Sequence, residues 1–519
     1  MDEINNMLSL VQFASKHYGD KIYLHSADSV IGIDITFSYL EIFTNKFNAF
    51  CEKNSITIGE EIAVILPNSP LYVLLLISII ATGRILVPIN PKAGNTELNH
   101  ILNQTNPKLI IHDSIITEKL TSFMGKKEPI QNERIFLDAI INCTAHNKPP
   151  INRPLIGNTH IAEIVFTSGS TGTPKGVIIT HENLIANVFG IRERINPAMD
   201  DVFLTMTPLY HNSGQFFSTF VPLASGSSCV IIKPELALAR FWKYIEQYGI
   251  NWTLAMPTHI NFLLQQKNNL IPHSLKGLLV GGAPLSKASQ HDFEKKFRVN
   301  ILKTYGLTET CSFATCDYPD KNLRQLGSSG KPLKTNEIKI FKNKKIISDP
   351  GAIGEIYIKG ANITNGYLKN KMETSAKLIN GWLATGDLGY IDTNNNIYII
   401  DRIDNMIIVN GENVYPSEVE NLLPFLGGIK QAVLLGIPHD IMGNELVLIY
   451  EGDHADTKKT NEWINALKKR ISPFKIPYRY MHISTFNLKV IPKAENGKIL
   501  RSKIKKIAFD YTAKTHSVN

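Results

Sequence analysis

Short runs of Val, Ile and Leu, set between helical patterns, limit most strongly how this chain can fold. Ile62-Ala-Val-Ile-Leu, Leu109-Ile-Ile and Ile161-Ala-Glu-Ile-Val-Phe come before residue 200; Ser228-Cys-Val-Ile-Ile, Leu278-Leu-Val and Ile301-Leu-Lys-Thr-Tyr follow. Strands of this kind, alternating with helices, are buried on both faces and build α/β layers. The most apolar run, Leu71–Ala81, is shorter than the ~20 residues that span a bilayer. Pro70 before it and Gly83 after it mark the ends of a buried helix. At 519 residues the chain exceeds what one core supports, so more than one domain is expected.

The texture changes from about residue 325. Shorter alternating strands appear (Glu337-Ile-Lys-Ile-Phe, Gly354-Glu-Ile-Tyr-Ile, Asn396-Ile-Tyr-Ile-Ile), punctuated by Asn, Asp and Gly, and predict a small antiparallel β unit. After Asp401-Arg402-Ile403-Asp404 a further segment carries its own helix over 417–423, strand over 431–435 and helix over 460–469. That is enough for a small α+β domain.

The formal charge of +9 suits phosphate-rich ligands, but no basic stripe interleaved with aromatics and no nucleic-acid-binding module accompanies it. Nucleic acid is therefore not expected as a partner. The five cysteines show no CxxC spacing and no companion His cluster, so free thiols in a reducing compartment are expected rather than zinc. The acidic N-terminus lacks the positive region of a secretory signal. A cytoplasmic protein without integral membrane association is the expectation, as a monomer or a homodimer.

The segment Phe166-Thr-Ser-Gly-Ser-Thr-Gly-Thr-Pro-Lys-Gly-Val-Ile carries the most chemistry. It follows a strand and precedes Thr180-His-Glu-Asn-Leu, a helix start. Its small residues (Thr167, Ser168, Gly169, Ser170, Thr171, Gly172) leave N–H groups and hydroxyls free to wrap phosphate oxygens, and Lys175 adds a cation. It is not a Walker A loop, because there Gly-Lys precedes Ser/Thr and here Lys175 precedes Gly176.

This loop resembles the phosphate-binding signature of the adenylate-forming superfamily, which includes acyl-CoA synthetases, peptide-synthetase adenylation domains and firefly luciferase. Tyr305-Gly-Leu-Thr-Glu-Thr310, Gly381-Trp-Leu-Ala-Thr-Gly-Asp387, Asp401-Arg-Ile-Asp404 and Pro492-Lys-Ala-Glu-Asn-Gly-Lys498 match the later motifs of that family in order, so the resemblance covers essentially the whole chain. It implies an α/β fold with a large N-terminal domain over 1–401, made of two layered α/β sheets and the small β unit. A hinge over 402–404 and a small mobile α+β domain over 405–519 complete it.

By the same resemblance, the chain activates a carboxylate with ATP and transfers the acyl group to coenzyme A. Glu309 binds Mg²⁺ and Thr308 the α-phosphate. Tyr305 stacks on adenine beside Gly281-Gly282-Ala283-Pro284, with Thr304 and Gly306 adjoining. Asp387 and Arg402 take the ribose, and Lys498 stabilises charge during adenylation. Asp404 is the hinge, and Gly411 and Glu412 line the thiol tunnel. Asp401 stands where many relatives have Gly, a replacement that other acyl-CoA members share. His211 and Asn212 fall where acyl- and aryl-CoA synthetases carry a Pro-Leu-(Phe/Tyr)-His segment, at the junction of acyl pocket and tunnel. Trp252, Met256, Val280 and Gly281 are the other pocket candidates.

Amino-acid-activating relatives place an Asp in this region, yet no Asp lies between Asp201 and Cys229. A fatty or aromatic acid is therefore expected. An acyl carrier protein is the alternative acceptor. A luciferase-like oxidoreductase is a further reading. A non-catalytic nucleotide binder would have lost Glu309 or Lys498, and both are present.

Overall fold

The computed structural model describes residues 4–26, 34–113, 130–132, 140, 155–168, 174–267, 271, 273–439, 443–493 and 499–516. The chain forms two compact units. One comprises Met1–Ile338 and Tyr357–Ala384; the other comprises Lys339–Ile356 and Thr385–Asn519.

The larger unit holds two sheets. In the first, Ile130–Asn132, Leu109–His112, Glu61–Ile65, Ile85–Pro88 and Ile161–Ser168 lie side by side, and Pro174–Thr180 closes the edge. The first five run parallel and the last is antiparallel to its neighbour. The second sheet has nine strands, with a parallel centre formed by Ile22–Ser26, Ser228–Ile231, Val202–Thr205, Trp252–Ala255, Gly277–Val280 and Ile301–Tyr305. The β-branched runs noted above supply these central strands. They bear no polar face because helices cover both sides.

The helix Pro70–Ala81 starts on the Ser69 cap with Pro70 in its first turn, as expected, and every one of its residues is buried. A helix apolar all round must lie inside the protein. Its Tyr72 and Leu75 belong to the same core as Phe37, Phe47, Phe203 and Phe217.

In the smaller unit, Asp387–Ile391 pairs antiparallel with Ile397–Arg402, and Ile340–Lys342 with Lys345–Ile347. Further on, Ile429–His439 and Gly443–Gly452 pair antiparallel, and Arg479–His482 joins them in parallel. Trp463 of the helix Thr457–Lys468 packs into this domain's own core with Leu434 and Leu448. Among the described residues Cys51, Cys229, Cys311 and Cys316 are buried free thiols, and no helix is long and apolar enough to cross a membrane.

Candidate active site

Two parallel strands of the larger unit end side by side and hold much of the expected nucleotide site. Val280 pairs with Lys303, so the Gly281–Pro284 turn leaves the sheet beside Thr304, Tyr305 and Gly306. Close packing there excludes side chains. A Cβ on Gly281 would lie 2.4 Å from the Thr304 hydroxyl, and one on Gly306 would lie 2.0 Å from the Ser312 carbonyl. The crevice beyond the carboxyl ends of parallel strands is where α/β sheets bind ligands.

The turn after Tyr305 is braced from several directions. Thr308–Thr310 forms a single 3₁₀ turn, and the Thr310 hydroxyl accepts from the Leu307 N–H at 2.9 Å. Buried Asn187 and Asn362 both donate to the Thr310 and Phe313 carbonyls, at 2.6–3.2 Å. The Tyr367 hydroxyl donates to one Glu309 carboxylate oxygen at 2.7 Å, and the Thr364 N–H to the Glu309 carbonyl at 2.8 Å. Thr308 and Glu309 are thus held half-buried on a rigid turn. Sequence reasoning missed Asn187, Asn362 and Tyr367, whose partners lie tens of residues away along the chain.

Thr167 and Lys175 face each other across the last two strands of the first sheet. The Lys175 ammonium is 2.8 Å from the Glu373 carboxylate. Ser168 ends its strand, while Gly169, Ser170, Thr171 and Gly172 lie outside the described residues.

His211 caps the short helix Asn212–Gln215, its ring centroid 4.6 Å from that of Tyr210. Asn212 is buried. The turn leading to His211 is tightly held. Asn68 accepts from the Leu209 N–H at 2.8 Å and donates to the Thr207 carbonyl at 3.0 Å, and Gln215 donates to the Leu209 carbonyl at 2.8 Å.

Among the pocket candidates, Met256 lies against Gly282, where an added Cβ would meet its methyl at 2.9 Å. The imidazole of His259 accepts from the Met256 N–H at 3.3 Å, and burial pushes it down to about 4, so it is neutral. Trp252 is not brought to this group. It pairs with Gly277 at the opening of its strand, three positions before the Ala255–Val280 pair beside Gly281. Its indole N–H donates to buried Asp201 at 2.8 Å.

In the smaller unit, Asp387 and Arg402 are cross-strand neighbours. Arg402 donates to the buried Asp387 carboxylate and to the Thr385 carbonyl, each at 3.0 Å. Asp404 is exposed in the turn Ile403–Asn405, its carboxylate 3.8 Å from the Arg402 guanidinium. Asp401 accepts from the N–H groups of Arg402 and Ser417 and from the Asn405 amide, at 2.7–2.9 Å. Gly411 and Glu412 are exposed on the hairpin joining Ile407–Val409 to Glu412–Val414. Lys498 lies outside the described residues.

With this geometry in place, comparison with known proteins decides the family. The model of the AMP-binding enzyme family matches residues 11–368. The chain belongs to the AMP-binding enzymes. It is an enzyme of the ligase class. A sulfoacetate–CoA ligase of Cupriavidus necator is 29% identical, with 96% of this chain and 97% of that protein aligned. A 2-succinylbenzoate–CoA ligase of Bacillus pumilus is also 29% identical, over 91% and 93%. Among solved structures, the o-succinylbenzoate CoA synthetase of Bacillus subtilis with its acyl-adenylate superposes with a TM-score of 0.84. It is 25% identical and aligns over 96% of this chain and 97% of that one. These AMP-binding relatives match along nearly their whole length.

Proposed function

We propose that this AMP-binding enzyme activates a carboxylic acid with ATP as an acyl-adenylate, releasing pyrophosphate, and then passes the acyl group to the thiol of coenzyme A. The observation carrying this reading is the braced turn over 305–313, which sets Thr308 and Glu309 beside the Gly281–Pro284 crevice.

Adenylation brings a carboxylate up to a polyphosphate, so the site must counter accumulating negative charge without reorganising. Tyr305 and the Gly281–Pro284 turn bound a slot for adenine. The Thr308 hydroxyl donates to the α-phosphate. Thr167, Ser168, Gly169, Ser170, Thr171, Gly172 and Lys175 hold the departing phosphates, which draw the Lys175 ammonium from Glu373. Asp387, oriented by Arg402, accepts from the ribose hydroxyls.

A hard-oxygen carboxylate fits Mg²⁺, which commonly takes one or two protein carboxylates and completes its shell with phosphates and water. Glu309 would hold that ion, with Tyr367 fixing its carboxylate, and the ion would neutralise phosphate charge.

Lys498 would supply the second cation during adenylation. The small domain over 405–519 would then reorient about residues 402–404, with Asp404 as the hinge and Gly411 and Glu412 beside the incoming thiol. His211 and Asn212 would stand where acid and thiol meet, and Met256, Val280 and Gly281 would border the acyl group.

Pyrophosphate release across a panel of fatty, aryl and small organic acids, followed by addition of coenzyme A, tests the reading. If no accepted acid becomes a thioester, coenzyme A is not the acceptor.

A further inference from the structure

The segment 364–374 joins the two halves of the phosphate site. It crosses the strand Pro174–Thr180, where the Leu368 N–H donates to the Gly176 carbonyl at 2.8 Å and the Ile178 N–H to the Gly366 carbonyl at 3.0 Å. Tyr367 pairs with Val177 there, and its hydroxyl reaches Glu309. The Thr374 hydroxyl accepts from the Tyr367 N–H at 3.0 Å, so the segment folds straight into the helix Lys371–Lys377. Asn370 caps that helix by accepting from the Glu373 N–H at 3.0 Å. The cap fixes the backbone of Glu373, whose carboxylate meets the Lys175 ammonium at 2.8 Å.

The two side chains are 19% and 24% exposed. A lysine ammonium is a strongly hydrated point charge on a flexible stem. Held this far from water it needs a counter-charge, and a cation stripped of its partner there is costly. Glu373 supplies that charge in the free enzyme. Phosphate oxygens supply it once a nucleotide is bound, so carboxylate and phosphate compete for one cation. The strength of the ion pair is therefore subtracted from the binding of every ligand that needs Lys175. Pyrophosphate loses as much as ATP does, while AMP, with neither β- nor γ-phosphate, loses nothing.

We propose that Glu373 is a positioning residue for pyrophosphate release: it seats Lys175 in the free enzyme, yields it to the β- and γ-phosphates, and takes it back as pyrophosphate leaves. This rests on the reading that Lys175 holds the departing phosphates, and it adds how the site lets them go. Pyrophosphate keeps the charge that attracts Lys175, and without a competitor the ammonium would retain it. The capped helix keeps Glu373 within reach while the pair is open.

The test is calorimetry on the full chain, without acid or coenzyme A, using pyrophosphate with Mg²⁺, ATP with Mg²⁺, and AMP. Glu373→Gln and Glu373→Ala should each bind pyrophosphate and ATP about fivefold more tightly, the upper end of what partly exposed ion pairs contribute, with the Kd for AMP within about twofold of wild type. In turnover, pyrophosphate should inhibit both variants more strongly by the same factor. Damage to the fold weakens binding, so a gain marks the loss of a competitor. Plain repulsion between Glu373 and the phosphates would also give a gain, and Lys175→Met distinguishes it, because in that background Glu373→Gln should no longer tighten binding. Unchanged or weaker pyrophosphate binding in either Glu373 variant, or a gain that persists with Lys175→Met, overturns the proposal. Lys175→Met alone separates the proposal from the reading under it. If that variant binds ATP and pyrophosphate as the wild type does, Lys175 does not hold the phosphates and both fall. If it weakens both ligands while the Glu373 variants show no gain, the proposal alone falls.

Discussion

Replacing Glu163 with glutamine should stabilise the protein by an amount that grows with pH. The carboxyl's ordinary value is 4.5, and burial pushes it up to about 8. Between those values the unfolded chain has released the proton while the folded chain still holds it. Folding therefore takes up a proton, and stability falls as pH rises. Each pH step in that window costs about 1.4 kcal/mol, which puts the penalty at roughly 0.7 kcal/mol at pH 5 and roughly 3 kcal/mol at pH 7. Above pH 8 it levels off near roughly 5 kcal/mol. Glutamine carries no such penalty. Other shifted groups, such as His181, which burial pushes down to about 4, are common to both proteins and cancel in the difference. Urea unfolding of both proteins at pH 5, 6, 7 and 8, with the slope checked for constancy, measures that difference. A flat difference from pH 5 to 8 would refute the reasoning, because it would mean that the buried carboxyl binds no extra proton.

Four other outcomes follow from the site. Lys498→Ala should abolish adenylate formation yet spare thioester formation from preformed acyl-AMP; equal loss in both half-reactions would remove its assigned role. Asp404→Pro should keep the first half-reaction and lose the second, measured as pyrophosphate release against thioester yield. Tyr367→Phe removes a hydrogen bond to a carboxylate worth about 1.5–3 kcal/mol. It should raise the Mg²⁺ concentration needed for half-maximal pyrophosphate release and lower kcat/KM for ATP by about tenfold. Gly306→Ala forces a methyl against the Ser312 carbonyl and should abolish AMP binding by calorimetry while the circular dichroism spectrum stays folded.

The parts of the fold legible in the sequence were those with a local cause. The buried helix showed in Pro70 and its unbroken apolar run, and the helix after the phosphate loop showed in Thr180, which does cap His181–Ile195. The strand runs were equally plain, since a both-faces-buried strand writes its environment into its composition. The distal part of the smaller unit was legible in outline only. Its strand runs over Ile429–His439, well beyond the apolar stretch 431–435, because pairing with Gly443–Gly452 extends it past the Val and Leu residues.

Trp252 shows a different limit. A buried strand looks alike at both ends in sequence, and only the pairing with Gly277 shows that its indole lies at the end away from Gly281. Asn68, Asn187, Asn362 and Tyr367 were silent because each acts on a turn far along the chain, and a lone Asn reads as loop chemistry. Glu163 was equally silent. In a β-branched run, one acidic residue reads as the solvated side of a strand, and only burial on both faces reveals its cost.

The most direct test of the central claim is product analysis after incubation with ATP, Mg²⁺, the acid panel and coenzyme A. The account predicts AMP and pyrophosphate in equal amounts, together with the acyl-CoA thioester, and an acyl-adenylate when coenzyme A is withheld. ADP and inorganic phosphate in their place would contradict it.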